Sequence, residues 1–245
     1  MKRIYMVLLC ILFALSASAC GNGQQSSGTD TNPPSQPEAD SKPQASSEEE
    51  QSAPDYAGEG KVLVAYFAYS ENMGDTSGMS VDAVTSASLN RDTDNTEGNL
   101  QVMAQEISGR NGAEVFSILL EEPFDPDYST MLDGSIEQIQ NAALPSLQSK
   151  VENMEQYDVV FLGLPVWSGE IPPAVRTFLT ENDLSGKTVV PFGIHLGSGF
   201  GKMPGQIEEL CPGADILDGF TINAGTANEE VRTQVNEWLN TVEIP

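Results

Sequence analysis

The feature that most constrains this fold is a buried strand followed at once by an aromatic loop and a helix start. Residues 159–162 form a continuous apolar run, which is typical of a parallel strand covered on both faces. Pro173 suits the first turn of a helix. The loop between them, Pro165–Gly169, follows the carboxyl end of the strand, where open α/β sheets bind ligands. Trp167 therefore has two interpretations: it stacks on a flat ring, or it closes the top of the core.

The rest of residues 61–245 repeats the alternation of strand and helix. Strands are predicted at 61–67, 113–120, 159–163, 188–194 and 214–222. Helices are predicted at 100–107, at 135–151 with a break or kink at Pro145, from Pro173, at 206–210 and at 229–242. Alternating elements imply a parallel sheet with helices on both faces, and five strands favour the order 2-1-3-4-5. The ligand crevice then lies between strands 1 and 3, beside the loop after strand 4.

The amino-terminal segment is typical of a secretory signal. Lys2 and Arg3 precede an apolar run, and small residues lead to Cys20. Residues 15–20 resemble a bacterial lipobox, which implies removal of residues 1–19 and lipidation of Cys20. The protein would then be extracytoplasmic and lipid-anchored to the bacterial cell membrane; the alternative is an ordinary signal cleaved nearby.

Residues 20–60 are predicted to be a disordered tether, because they are rich in Ser, Pro, Gln and Glu and nearly free of large apolar side chains. Residues 61–245 have the length of one domain with a sizeable core. Cys10 leaves with the signal and Cys20 is the lipidation candidate, so Cys211 is the single cysteine of that domain. An intramolecular disulfide is therefore excluded there.

The charge of the chain limits its partners. The sequence has 36 Asp and Glu residues against 11 Lys and Arg residues, a formal net charge of −25. Nucleic acid and anionic lipid surfaces would be repelled, so membrane contact is expected through the anchor only. A neutral or basic partner, or a small molecule held by backbone donors, remains compatible.

Common catalytic motifs are missing from the sequence. Neither Ser168 nor Ser198 lies in a Gly-x-Ser-x-Gly elbow, which argues against a serine hydrolase. One histidine and three cysteines are too few for a zinc site. We therefore predict no catalytic side chain and no metal ligand.

Several segments resemble the flavodoxin-like family, and more specifically its bacterial lipoprotein branch. The resemblance covers essentially all of residues 61–245 and rests on the order and spacing of these segments: Val62–Phe67, Glu122–Tyr128, Pro165–Pro172, Val175–Leu179, Gly186–Pro191 and Gly197–Gly201. It implies a flavodoxin-like five-stranded parallel sheet with helices on both faces, and FMN as the cofactor.

The resemblance also implies which residues bind FMN. The phosphate would be held by Ser70, Asn72, Gly98 and Asn99, where backbone N–H groups and hydroxyls take the place of basic side chains. The isoalloxazine edge would be covered by Pro165, Val166, Trp167, Ser168 and Gly169. The pyrimidine end would be hydrogen-bonded by the loop carrying His195, Gly197, Ser198 and Gly199. His195 either offers a proton or positive charge to the flavin or is a solvated loop residue.

Two hypotheses follow for the function. In the first, a membrane-tethered FMN protein transfers electrons to an unknown redox partner or reduces a small acceptor such as a quinone, and whether it is an enzyme stays open. In the second, the scaffold is a flavin-free interaction or ligand-binding module. Three residues of the phosphate loop motivate the second: Leu100 replaces an expected hydroxyl, and Glu71 and Glu97 are acidic. The insertion at 73–95 also motivates the second hypothesis. It is interpreted either as a lid or partner surface or as a disordered segment.

Overall fold

A computed structural model of the chain describes residues 60–74, 98–125, 127–167 and 169–244. Within them a parallel sheet contains β1 (Lys61–Tyr66), β2 (Glu114–Ser117), β3 (Tyr157–Pro165), β4 (Thr188–His195), β5 (Asp215–Ile216) and β6 (Phe220–Asn223). Its order is β2-β1-β3-β4-β5, with β6 also paired to β4. The helices are α1 (Asn99–Asn111), α2 (Tyr128–Gln140), α3 (Pro173–Glu181), α4 (Met203–Leu210) and α5 (Asn228–Leu239). The predicted fold class and the strand order 2-1-3-4-5 are confirmed.

Gly163 of β3 leaves room for side chains of both neighbouring strands. Residues 159–165 of β3 are all buried, as its apolar run predicts. A Cβ at Gly163 would lie 2.4 Å from the Phe192 ring of β4 and 2.6 Å from Cβ of Tyr66. Position 163 therefore admits only glycine without rearrangement of both neighbouring strands.

The second helix differs from its predicted bounds. The predicted span of 135–151 was wrong at both ends, because α2 begins at Tyr128 and stops at Gln140. It starts early because the Asp127 carboxylate caps it, accepting a hydrogen bond from the Thr130 backbone N–H. After the helix, Leu147 forms an antiparallel bridge with Leu120, so this segment pairs with the chain that follows β2.

The predicted fifth strand is divided in two. Residues 217–219 separate β5 from β6, and a Cβ at Gly219 would lie 2.2 Å from the Pro191 carbonyl oxygen. The division lies opposite Pro191 of β4, which has no N–H group to donate to a ladder. The interruption is therefore explained by a proline in the neighbouring strand.

Helices cover the sheet on both faces. One core includes buried residues of α2, α3 and α4, and the other includes residues of α1 and α5. Among the described residues, no helix has the length and apolar character needed to cross a membrane. This arrangement leaves the carboxyl ends of the strands open between the two layers, which is where the loops of the next subsection lie.

Candidate functional site

Three loops meet at the carboxyl edge of the sheet. We call them loop 1 (residues 67–74, after β1), loop 3 (166–172, after β3) and loop 4 (196–202, after β4). Trp167 of loop 3 packs edge-on against Phe67 of loop 1, with ring centroids 5.6 Å apart. A Cβ at Gly201 of loop 4 would lie 3.5 Å from Cα of Gly169. The three loops predicted to form a crevice thus lie against one another.

Two side-chain polar atoms at this edge are buried without hydrogen-bond partners among the described residues. Ser70 Oγ and Asn99 Nδ2 have no partner among the residues that the structure describes, and Asn99 is 1% exposed. Ser70 belongs to loop 1, and Asn99 is the first residue of α1. Because α1 leads back to the start of β2, it begins at the same edge where loop 1 lies. An unpaired buried donor is costly, so this site is suited to an acceptor supplied by a ligand.

The start of α1 adds backbone N–H donors at the same edge of the sheet. Its N-cap residue, Gly98, has no side chain to cap the helix, and the first turn contains no acidic residue. Gly98, Asn99 and Leu100 are buried. The first N–H groups of a helix lack intrahelical partners and carry the positive end of its dipole. The same edge thus carries the donors of Ser70, Asn99 and these N–H groups. Such a set suits an anion and, among these described residues, includes no basic side chain.

The position of Leu100 explains why no hydroxyl is present there. Leu100 is 2% exposed and belongs to the core between the sheet and α1. Its side chain therefore packs the helix onto the sheet.

The Glu71 carboxylate of loop 1 is held by two hydroxyl groups. Tyr66 donates to Oε1 at 2.9 Å, and Ser117 donates to Oε2 at 2.7 Å. Burial, and then the negative charge of Glu71, raise the pKa of Tyr66 well above its usual value. The tyrosine thus remains a hydroxyl donor at neutral pH, and Glu71 is fixed on β1 and β2.

Asn72 fixes loop 1 to the end of β2. Its Nδ2 donates to the carbonyl oxygens of Ala68 at 2.9 Å and Ile118 at 3.1 Å. Its Oδ1 accepts from the Leu120 backbone N–H at 2.7 Å. Both amide hydrogens are used within the protein, so ligand contact through this side chain would require an exchange of bonds. Its place in the phosphate site stays a prediction.

Trp167 lies in an aromatic cluster that the sequence analysis did not identify. Besides Phe67 it contacts Phe124 at 5.6 Å and Tyr69 at 6.3 Å between ring centroids, all in edge-to-face arrangements. Trp167 is only half-buried. It thus closes the top of the core, as one interpretation predicts, while stacking on a ligand ring stays a prediction. The sequence feature that could have pointed to Phe124 is its position in Glu122–Tyr128, one of the segments that carry the family resemblance.

Loop 3 is attached to the helix that follows loop 4. Glu170 accepts a hydrogen bond from Gln206 of α4 and pairs with Lys202 at 3.6 Å. Gln206 Oε1 in turn accepts from the Ile171 backbone N–H at 3.0 Å. At the start of the loop, Val166 N–H donates to the Ile194 carbonyl oxygen at 2.9 Å. Loops 3 and 4 are therefore coupled, and Pro165, the last residue of β3, is buried beneath them.

His195, at the end of β4, organises loop 4. Its Nδ1 accepts a hydrogen bond from the Gly197 backbone N–H at 2.7 Å. With Nδ1 acting as an acceptor, the neutral imidazole carries its proton on Nε2. Gly197 and Gly199 have φ of +104° and +58°, and Ser198 between them is exposed. The glycines allow a backbone path that other residues rarely adopt.

Some predicted residues lie outside the described part of the chain. They are Cys20, Ser168, Glu97, the signal and tether at 1–59, and positions 75–95 of the insertion. In the part that is described, no group of three or more His, Cys, Asp or Glu side chains is arranged to hold a metal ion.

Comparisons with known proteins agree with this architecture. A family model described as flavodoxin matches residues 93–242, more than half of the chain. The crystal structure of a protein described as a putative flavoprotein from Bacteroides eggerthii is similar, with a TM-score of 0.53 and 24% identity; the match covers 76% of this chain and 99% of that one. Another from Bacteroides uniformis has a TM-score of 0.53 and 21% identity, covering 74% and 97%. No curated protein sequence matches significantly. At these sequence identities, the two structural similarities show a shared fold.

Proposed function

The chain belongs to the flavodoxin family, and from this premise we propose that it binds FMN at the carboxyl edge of its sheet and acts in electron transfer. The acceptor is a redox partner or a small oxidised molecule such as a quinone. The observation that carries the proposal is the pair of buried, unpartnered donors, Ser70 Oγ and Asn99 Nδ2, in the described residues at that edge.

The residues present fit a phosphate. Ser70 and Asn99 supply side-chain donors, and the uncapped start of α1 at Gly98 supplies backbone N–H groups. The site needs no basic side chain, which suits a chain of net charge −25. Because Glu71 is held by hydroxyl groups of Tyr66 and Ser117, its carboxylate is a fixed part of the scaffold.

The flavin ring would be held by loop 3 at one edge and by loop 4 at its pyrimidine end. Trp167 is half-buried and braced by three other aromatic rings, which gives a ligand ring a rigid surface to pack on. His195 accepts from Gly197 through Nδ1, so its Nε2–H is the group left to donate a hydrogen bond. When bound, FMN supplies the redox chemistry, and the protein residues hold it and adjust its surroundings.

We also propose that the protein works outside the cytoplasmic membrane, anchored through a lipid on Cys20. The support is the signal-like segment and the lipobox-like residues 15–20. Mass spectrometry of the protein purified from the membranes of a bacterial host tests this. Recovery of a lipidated Cys20 peptide supports it, and an unmodified peptide beginning elsewhere refutes it.

An FMN titration tests the central proposal. Flavin fluorescence is followed as the full chain is added to FMN and, separately, to riboflavin, which has the same ring and lacks the phosphate. We expect micromolar or tighter FMN affinity and weaker riboflavin affinity. Asn99→Asp introduces a negative charge with almost no change in shape, so it should weaken FMN binding while riboflavin binding stays unchanged. Trp167→Ala should weaken both.

Failure to bind either flavin would refute the proposal. The flavin-free interaction or ligand-binding module would then account for the scaffold, with the insertion at 73–95 as the segment to delete in a partner-binding assay. Equal affinities for FMN and riboflavin would refute the assigned phosphate site.

A further inference from the structure

A cavity on the α2 side of the molecule adjoins the aromatic cluster of Trp167, with which it shares Phe124. Its volume is about 420 Å³, which is within the usual range for small-molecule sites. Its apolar wall consists of the buried side chains of Leu120, Phe124 and Met131. Pro123 and Pro145 also line it. This wall can accommodate the apolar body of a ligand.

The rim of the cavity is negatively charged. Glu121, Glu122 and Asp125 line it, and all three are exposed. None of them forms an ion pair with another residue in the described part of the chain. The described lining contains no Lys, Arg or His. The charge of the rim therefore favours a cationic ligand and disfavours an anionic one.

The wall also contains an acceptor without a donor. Gln138 of α2 lines the cavity, and its Oε1 is buried with no hydrogen-bond partner among the residues described. A buried carbonyl oxygen of this kind is normally paired, so a donor from a ligand would remove an energetic cost. Thr130 and Ser146 add hydroxyl groups to the same lining.

We propose that this cavity binds a small organic amine in its protonated form, with an aromatic or aliphatic body. The apolar body packs on Leu120, Phe124 and Met131, and the ammonium group donates to Gln138 Oε1 near the three carboxylates. The proposal does not rest on flavin binding, because neither Gln138 nor the carboxylates belong to loops 1, 3 or 4. Phe124 is shared with the aromatic cluster of Trp167.

Calorimetric titration of the full chain at physiological salt tests the proposal with two probes of one shape. Tryptamine carries an ammonium group at neutral pH, and tryptophol carries a neutral hydroxyl on the same skeleton. We expect tryptamine to bind about tenfold more tightly, the order of a hydrogen bond to a charged group. Gln138→Met, which removes the acceptor, should reduce tryptamine affinity by a similar factor.

Two further variants localise the binding. A Cβ at Gly134, which lines the cavity, meets no heavy atom within 4 Å, so Gly134→Leu fills the space from an open position. It should abolish tryptamine binding. The second variant neutralises the rim with Glu121→Gln, Glu122→Gln and Asp125→Asn, and its tryptamine affinity should be lower severalfold. The matched control neutralises three exposed carboxylates elsewhere: Glu208→Gln, Glu209→Gln and Glu237→Gln.

The outcomes separate clearly. Selective tryptamine binding that is lost in the filled variant and unchanged in the control supports the site. Equal binding of the two probes, no binding, or full affinity in the folded Gly134→Leu variant overturns it. Thermal unfolding of each variant establishes that it is folded, and Gly134→Ala serves as a milder filling variant.

Discussion

Replacing Ser70 by alanine should change stability and ligand affinity in opposite directions. In the FMN-free protein, Ser70 Oγ is buried and has no partner among the described residues. Leaving a buried polar group unpaired costs roughly 1–3 kcal/mol. Ser70→Ala removes that cost and loses little packing, so we expect the FMN-free variant to be more stable by about 1 kcal/mol. With phosphate bound, the same hydroxyl donates to a charged acceptor, an interaction of about 1.5–3 kcal/mol.

Two measurements on the full chain check this expectation. Urea unfolding of the FMN-free protein should show a midpoint higher by about 0.5 M, for a slope of about 2 kcal/mol/M. The flavin fluorescence titration should show FMN affinity lower by about tenfold or more, since 1.4 kcal/mol corresponds to tenfold. Riboflavin affinity should not change.

Ser117→Ala is the matched control for stability. The Ser117 hydroxyl is paired with Glu71 at 2.7 Å, so its removal leaves a carboxylate oxygen without that donor and should destabilise the protein. The reasoning is refuted if Ser70→Ala lowers the unfolding midpoint as Ser117→Ala does, or if it leaves FMN affinity unchanged.

Three further predictions concern the scaffold. Asn72 is 2% exposed, and Asn72→Ala removes the three hydrogen bonds of its side chain. Urea unfolding should therefore show a free energy of unfolding lower by about 2–4 kcal/mol. A decrease under about 1 kcal/mol would contradict the role of Asn72 in fixing loop 1. Gly163→Ala places a Cβ 2.4 Å from Phe192 and should cost about 3 kcal/mol, whereas Gly109→Ala in α1, where a Cβ meets nothing within 4 Å, should stabilise the protein. Equal effects at the two glycines would show that steric contact is not the cause. Asp127→Ala should lower the melting temperature at pH 7, because hydrogen bonds from Thr130 hold the pKa of this carboxyl below its usual 3.8. The depressed pKa stabilises the protein above that pH, so the difference between variant and parent should shrink as pH falls below 3.8; a constant difference down to pH 3 would exclude a role for the charge.

Helix bounds and strand continuity show where local patterns stop being informative. The end of α1 is marked by Gly112, which adopts φ of +64°, and the start of α3 is marked by Pro173. The end of α2 was predicted too late, because the apolar spacing continues through Leu147, a residue that packs on the core from a bridge to Leu120. Spacing alone does not distinguish these two ways of burying an apolar side chain.

By itself, the sequence determined the alternation of strands and helices, the order of the sheet, and which loops meet at its carboxyl edge. These follow from periodicity and chain connectivity, which are properties of neighbouring residues. Only the tertiary structure decided how the polar groups are paired. Asn72 bonds to Ile118 and Leu120, and Glu71 bonds to Ser117, across more than 40 positions of the chain. The unpaired donors of Ser70 and Asn99 became visible only when these partners were known, because hydrogen bonding depends on distance in space and not on order along the chain.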